Sequence, residues 1–222
     1  AAVAPITGRW MADSALVVAP TEGGDADADL VARFLGGDRD AFEQIVLRHQ
    51  DRIFRLCFRL LDSRQLAEEA AQEVFVKVFK NLHRFRGDSQ LSTWMYRVTL
   101  NHCRNLHAYR SRRRERDHLS LDVAPSNQEG TRGAPELSDP MPDAEEGLLA
   151  DERRRLLRTE LDMLEPLWRE ILILRDVEGL SYEETAAALN IAAGTVKSRI
   201  HRARSELRRR MLRRLKLEQD RG

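Results

Sequence analysis

From Asp38 to Leu61 apolar residues recur at the spacing of one helix face, with Phe42, Ile45, Val46, His49, Ile53, Leu56 and Leu60 on one side and polar residues on the other. This pattern predicts an amphipathic helix of several turns. Asp62-Ser63 supplies a cap, and Leu66, Ala70, Val74 and Val78, with Phe75, Phe79 and Leu82, mark a second helix. Gly87-Asp88-Ser89 breaks the pattern. A third long helix follows from about Leu91, with Leu91, Trp94, Met95, Val98 and Leu106 on its inner stripe. That register leaves Thr93, Tyr96, Arg97, Leu100, Asn101 and Arg104 on the outer side, followed by the basic run Arg110 to Arg116. No Pro falls between Thr21 and Val123 and no segment alternates with period two, so this part is predicted to be a helical bundle.

A second set of helices begins near Ala144. Leu148 to Leu164 is the first, and Pro166 occupies a favoured first-turn position of the next, Leu167 to Asp176, which Gly179 stops. Ser181-Tyr182-Glu183-Glu184 has the spacing of a capping box and opens a short helix through Leu189. After a tight connection at Asn190 to Ala193, a long helix runs from Gly194 or slightly before to about Leu215. The expected fold class is all-α, two small helical domains joined by a flexible acidic linker. The expected division is an N-terminal extension over 1–29, a first domain over 30–118, a linker over 119–146 and a second domain over 147–222.

Charge sharpens this division. The 222 residues carry 37 Lys plus Arg and 36 Asp plus Glu, a net charge of +1. The signs are sorted, however: about −4 over 1–29, +7 over 30–118, −8 over 119–152 and +6 over 153–222. Two basic domains on either side of an acidic tether point to polyanionic partners. The tether, with Pro125, Pro135, Pro140 and Pro142, has too little apolar surface to offset the entropy of ordering it, and its acids are expected to cover the basic faces in the free protein. No apolar run approaches the roughly 20 residues of a membrane span or forms a secretory signal, which predicts a cytoplasmic protein; Met11 is read as a natural start. Cys57 and Cys103 have no disulfide or zinc spacing and read as small buried residues.

A short capped helix, a tight turn and an Arg-rich helix form the pattern of a helix-turn-helix. On the last helix Val196, Ile200, Ala203 and Leu207 share one stripe, which leaves Lys197, Ser198, His201, Arg202, Ser205, Arg208 and Arg209 outside and Arg199 on the flank. Arg199 and Arg202 are the candidates for reading base edges, because a guanidinium can pair with guanine through two bonds. The third helix of the first domain joins a basic face to an aromatic and to amides, which suits unstacked bases. His102, Cys103 and His107 are split between helix faces with no fourth ligand, and no Gly-rich phosphate cradle is present, so no metal, cofactor, small-molecule substrate or catalytic site is expected.

Three stretches, "LAEEAAQEVFVKVF", "FRGDSQLSTWMYRVTLNHCRN" and "LSYEETAAALNIAAGTVKSRIHRARSELR", together resemble the extracytoplasmic-function group of bacterial sigma factors in the sigma-70 family. The resemblance covers 30–115 and 148–212 and implies that the first domain is region two and the second region four. It implies that Glu69, Gln72, Glu73 and Phe75 on the helix Leu66 to Phe79 dock on the β′ clamp coiled coil of core RNA polymerase. It further implies that the loop Arg86 to Ser92 captures a base flipped from the minus-ten element. The minus-ten set is Arg86, Asp88, Ser89, Thr93, Tyr96, Arg97, Asn101, Arg104 and Asn105, with Arg112, Arg113 and Arg114 on upstream phosphates. The helix-turn-helix would read the minus-thirty-five element through Thr195, Lys197, Ser198, Arg199, His201, Arg202 and Ser205, with part of the second domain on the β flap. Promoter DNA and an anti-sigma factor are the remaining implied partners. Members often have Ser or Pro where this chain has Ala192, which weakens the cap of its recognition helix. The alternative is a helix-turn-helix regulator that binds duplex operator DNA without polymerase.

Overall fold

The computed structural model describes residues 24–119 and 155–219. Among them every regular element is helical: α1 Gly24–Leu35, α2 Arg39–Leu61, α3 Arg64–Asn81, a 3₁₀ turn Leu82–Arg84, α4 Leu91–Leu119, α5 over 155–162, α6 Pro166–Leu172, α7 Tyr182–Leu189 and α8 Ala193–Gln219. The expected all-α class is therefore observed. The linker 119–146, apart from Leu119, and residues 1–23 of the expected extension lie outside the described residues.

Local chemistry accounts for the element boundaries. Asp38 caps α2 by accepting from the Asp40 and Ala41 N–H groups at 3.0 and 3.3 Å. Asp62 ends α2 in the left-handed region at φ 48°, and Ser63 opens α3 by accepting from Leu66 N–H at 3.4 Å. Gly37, at φ 100°, closes α1 in a Schellman turn: Asp38 N–H bonds the Arg33 carbonyl and Gly37 N–H bonds that of Phe34, both at 3.0 Å.

α1 was not expected. It begins inside the segment read as an extension, whose acids suggested a solvated tail. One of those acids is buried instead: Asp27 accepts from Arg48 at 2.9 Å and is 3.1 Å from His49 Nε2, which pins α1 to α2. Burial works to raise the Asp27 pKa, but the bonds from His49 and Arg48 outweigh it and hold the carboxyl below its ordinary value.

The described residues fall into two compact units, one within Ala1–His107 and Glu165–Arg204, the other within Ala108–Leu164 and Ser205–Gly222. The first draws on segments from either side of the linker. Its core holds Ile45, Ile53, Leu56, Val74, Val78, Leu82, Met95 and Leu100 together with Ile171, Leu174 and Val196, all fully buried. Each contributes about 1.5–3 kcal/mol of apolar transfer. Cys57 and Cys103 are buried free thiols in this core, and the Cys103 bond together with burial pushes the Cys57 thiol far up, out of the reactive range. The second unit contains α5 and the distal halves of α4 and α8. There Glu206 accepts from Arg209 and, at 3.0 Å, from Arg210.

The faces of α4 differ from expectation. Thr93, Tyr96 and Leu100, placed on its outer side, are 2%, 4% and 1% exposed, whereas Val98, placed inside, is half-buried. The stripe argument assumes one buried face, and the first turns of this helix are enclosed on all sides. Enclosure is tolerated because the polar atoms find partners: Thr99 Oγ1 donates to the Met95 carbonyl at 2.9 Å and Tyr96 OH to Glu178 Oε2 at 3.3 Å.

Candidate nucleic-acid interface

The helix-turn-helix is built by two caps. At the start of α7, Ser181 Oγ accepts from Glu184 N–H at 3.0 Å while Glu184 Oε2 accepts from Ser181 N–H at 2.8 Å, the full capping box. At its end Asn190 takes φ 55°, Asn190 N–H bonds Ala187 O at 3.4 Å and Ile191 N–H bonds Ala186 O at 3.0 Å. This Schellman turn reverses the chain within three residues before α8 starts at Ala193. Ala192 offers α8 no side-chain acceptor; its carbonyl takes Thr195 Oγ1 at 2.7 Å instead.

Val196, Ile200 and Ala203 are buried and Leu207 is half-buried, which turns the opposite face of α8 outward. Thr195, Lys197, Ser198, His201, Arg202 and Ser205 are all exposed there, and Arg199 is half-buried on the flank. The structure thus brings the upstream set onto one open helical face, with Arg199 at its edge. Arg204, just off that face, is held by a two-bond pair with Asp176, which raises its pKa and fixes its direction.

The loop between the 3₁₀ turn and α4 requires Gly87 at φ 78° and forms a cleft of about 270 Å³. Arg84, Arg86, Asp88, Ser89, Trp94 and Arg97 line it, and Phe85 meets Trp94 with ring centroids 5.7 Å apart. A cleft with two aromatics at its base and cations at its rim can hold a planar base and an adjacent phosphate. Asn101 and Asn105 are exposed further along α4, as are Arg112 and Arg113; the side chain of Arg114 lies outside those described. Tyr96 and Arg104 are engaged instead. Burial, then Glu178, pushes the Tyr96 hydroxyl above its usual range, and a two-bond hydrogen bond with Glu170 raises Arg104 against its burial.

On α3, Glu69, Gln72 and Glu73 are exposed as expected, but Phe75 is 5% exposed and belongs to the core. The apolar side chains presented beside Gln72 are Val76 and Phe79, 42% and 43% exposed. Phe79 was read only as an apolar marker of the helix. Its ring packs against Phe34 of α1 and Phe42 of α2 at 5.3 and 4.9 Å, and α1 had no signal in the helical pattern. Lys77, on the same helix, contacts His102 Nδ1; burial, then Lys77, lowers the His102 pKa. Among the described residues no group of His, Cys, Asp or Glu is arranged to hold a metal ion, and no helix is long and apolar enough to cross a membrane.

A base-sized cleft together with a helix-turn-helix is an arrangement suited to nucleic-acid binding. Comparison with known proteins gives the class. Residues 45–115 match the model for sigma-70 region 2, and 154–207 that for sigma-70, region 4. The chain is 37% identical over 183 residues to the RNA polymerase sigma-H factor of Pseudomonas aeruginosa, and 34% identical over 181 residues to the ECF RNA polymerase sigma-E factor of Escherichia coli. Each alignment covers 82% of this chain and 92% of the relative. Among solved structures it resembles the sigma factor RpoE of Bartonella quintana, in complex with the anti-sigma factor NepR, with a TM-score of 0.51 and 25% identity over 77% of this chain and 96% of that one. It also shares the fold of CnrH, solved with the cytosolic domain of CnrY, at a TM-score of 0.57 and 24% identity over 82% and 95% of the two chains. The chain belongs to the sigma-70 family, as an RNA polymerase sigma factor of the extracytoplasmic-function group. With region 2 spanning most of α2 through α4, the operator-binding regulator is not favoured.

Proposed function

We propose that this sigma factor contacts core polymerase and promoter DNA through three surfaces of the described helices. The exposed side of α3, with Glu69, Gln72 and Glu73 around Val76 and Phe79, docks on the β′ clamp coiled coil. The cleft at Arg86, Asp88 and Ser89, continued along α4 by Arg97, Asn101 and Asn105, receives the flipped base and strand of the minus-ten element. The outward face of α8 reads the minus-thirty-five element in the major groove, with Arg199 and Arg202 on base edges and later basic residues on phosphates. The second module also meets the β flap. The protein acts by binding and strand opening rather than by covalent chemistry of its own, and it works in the cytoplasm, where chromosomal DNA and polymerase are.

The observation that carries this reading is the open face of α8 behind a doubly capped α7. An anti-sigma factor is the expected regulator, as the resemblance to a sigma factor solved with NepR supports. Reconstituted transcription tests the proposal: purified core polymerase with this protein initiates at a discrete set of genomic promoters sharing both elements. Absence of specific initiation, together with tight duplex binding by the protein alone, would instead identify a regulator.

A further inference from the structure

Among the described residues three aromatic side chains stand well out of the surface: Tyr182 at 39%, Phe79 at 43% and Tyr109 at 60% exposed. The first two have partners. The Arg175 guanidinium lies over the Tyr182 ring, 5.0 Å from its centroid, and the Phe79 ring packs on Phe34 and Phe42. Tyr109, in the distal half of α4, has no ring contact, hydrogen bond or ion pair among the described residues. A single aromatic at a surface is ordinary and requires no function. The helix around this one is less ordinary. From Asn101 to Arg113 it carries no carboxylate, and Arg112 and Arg113, three and four residues beyond Tyr109, share its face and are exposed. Arg112 Nε donates to the Ala108 carbonyl at 3.1 Å, which ties its guanidinium to the turn that bears Tyr109. Asn105 lies one turn before Tyr109 on the same unbroken helix and Asn101 one turn before that. Amides, ring and cation therefore follow one another along one stripe, at the spacing i, i+4, i+8 and i+11.

We propose that Tyr109 caps the upstream end of the opened DNA, its ring stacking on the last base pair before the strand leaves the duplex. The inference rests on the reading of α4 as the minus-ten surface and adds to it a residue outside the set placed there. Order along the helix carries it. The cleft and the two asparagines hold bases that have left the stack, whereas Arg112 and Arg113 hold phosphates of DNA that is still paired. The junction between unpaired and paired DNA falls between them, where Tyr109 is. The terminal base pair at such a junction has lost the neighbour on one of its faces. A flat aromatic ring replaces that neighbour, and it does so for any sequence, because every base has a π-face. An amide or a lone cation at this position offers no comparable surface. Tyrosine also suits a ring that is exposed until DNA arrives, since its hydroxyl keeps one end of the side chain wet while the rest stays available for stacking.

The test uses holoenzyme assembled from core polymerase and the full-length chain, unsubstituted or carrying Tyr109→Ala or Tyr109→Phe. Position 109 is exposed, so neither change removes a core contact. The probes are fork-junction DNAs from a promoter the reconstituted enzyme transcribes. In each the non-template strand continues unpaired downstream, and pairing ends one base pair further upstream in each successive member. Affinity of the unsubstituted holoenzyme should peak at one junction position. Tyr109→Ala should lower that peak by roughly 5- to 150-fold, the loss of one stacked base, and leave binding to the same promoter as unopened duplex unchanged. Tyr109→Phe should keep the peak. 2-Aminopurine in the terminal pair should be quenched by the unsubstituted and Phe proteins and brighter with the Ala variant. A peak that survives in Tyr109→Ala, a loss shared equally by fork and duplex, or a Phe variant as weak as the Ala variant overturns the cap; the last of these would make the hydroxyl, not the ring, the contact. Failure of the functional reading looks different: the unsubstituted chain initiates at no promoter with core polymerase, and the cap is withdrawn with it.

Discussion

Arg202→Ala is the sharpest probe of the recognition face. The side chain is exposed on α8, one residue before the buried Ala203, and among the described residues it has no ion-pair partner, so its removal leaves the helix core of Val196, Ile200 and Ala203 intact. Stability should change by no more than about 0.5 kcal/mol, as for other surface substitutions. If Arg202 forms a two-bond contact with a guanine, its loss costs about 1–3 kcal/mol at that base pair, or roughly 5- to 150-fold in affinity for the matched upstream element. Arg209 supplies the comparison. It lies two turns further on and already shares Glu206 with Arg210, so its charge is partly neutralised before DNA arrives. Arg209→Ala should weaken matched and scrambled duplexes alike and lower the slope of log K against log salt by less than the roughly 0.9 of one full phosphate contact. The measurement is holoenzyme binding to matched and scrambled upstream duplexes at several salt concentrations. Equal losses for the two variants on both duplexes would refute the division of α8 into a reading turn and a phosphate-binding stretch.

Three further outcomes follow from the geometry. Ser181→Ala removes the Oγ that accepts from Glu184 N–H, one of the two bonds of the α7 capping box, and should cost about 1 kcal/mol, a fall of roughly 2–4 °C in Tm by calorimetry; an unchanged Tm would mean that this bond does not hold the helix-turn-helix. Phe79→Ala should weaken core-polymerase binding about tenfold or more without unfolding the chain, whereas Phe75→Ala, a core truncation, should lower stability by about 3–5 kcal/mol; pull-down titration and urea melts separate the two, and the reverse pattern would return the docking role to Phe75. Asp27 has a folded pKa below its unfolded value of about 3.9, so its contribution is present above that value and is lost as pH falls through the lower, folded one. Urea midpoints of Asp27→Asn should therefore fall short of the parent's at pH 6 and converge with them at the acid end; a constant gap across the range would contradict the assignment.

How far the sequence could be read depended on whether one helix face met one environment. α8 obeyed the rule: a single apolar stripe, Val196 to Ala203, packs inward, and everything placed opposite it is exposed or at the flank. The caps at Ser63 and Ser181 were legible because capping is local, each carried by a side chain three residues from the N–H group it satisfies. α4 broke the rule. Thr93, Tyr96 and Leu100 are buried along with the inner stripe, Tyr96 with its hydroxyl on Glu178, and no periodicity records a partner 82 residues away in sequence. Phe75 and Phe79 were confused for a related reason. Both are aromatic and four residues apart on one face of α3, and only the tertiary packing, which buries Phe75 and leaves Phe79 part-exposed against Phe34 and Phe42, tells them apart. α1 was hidden because its acids suggested solvent, when Asp27 is itself buried, bonded by Arg48 and beside His49.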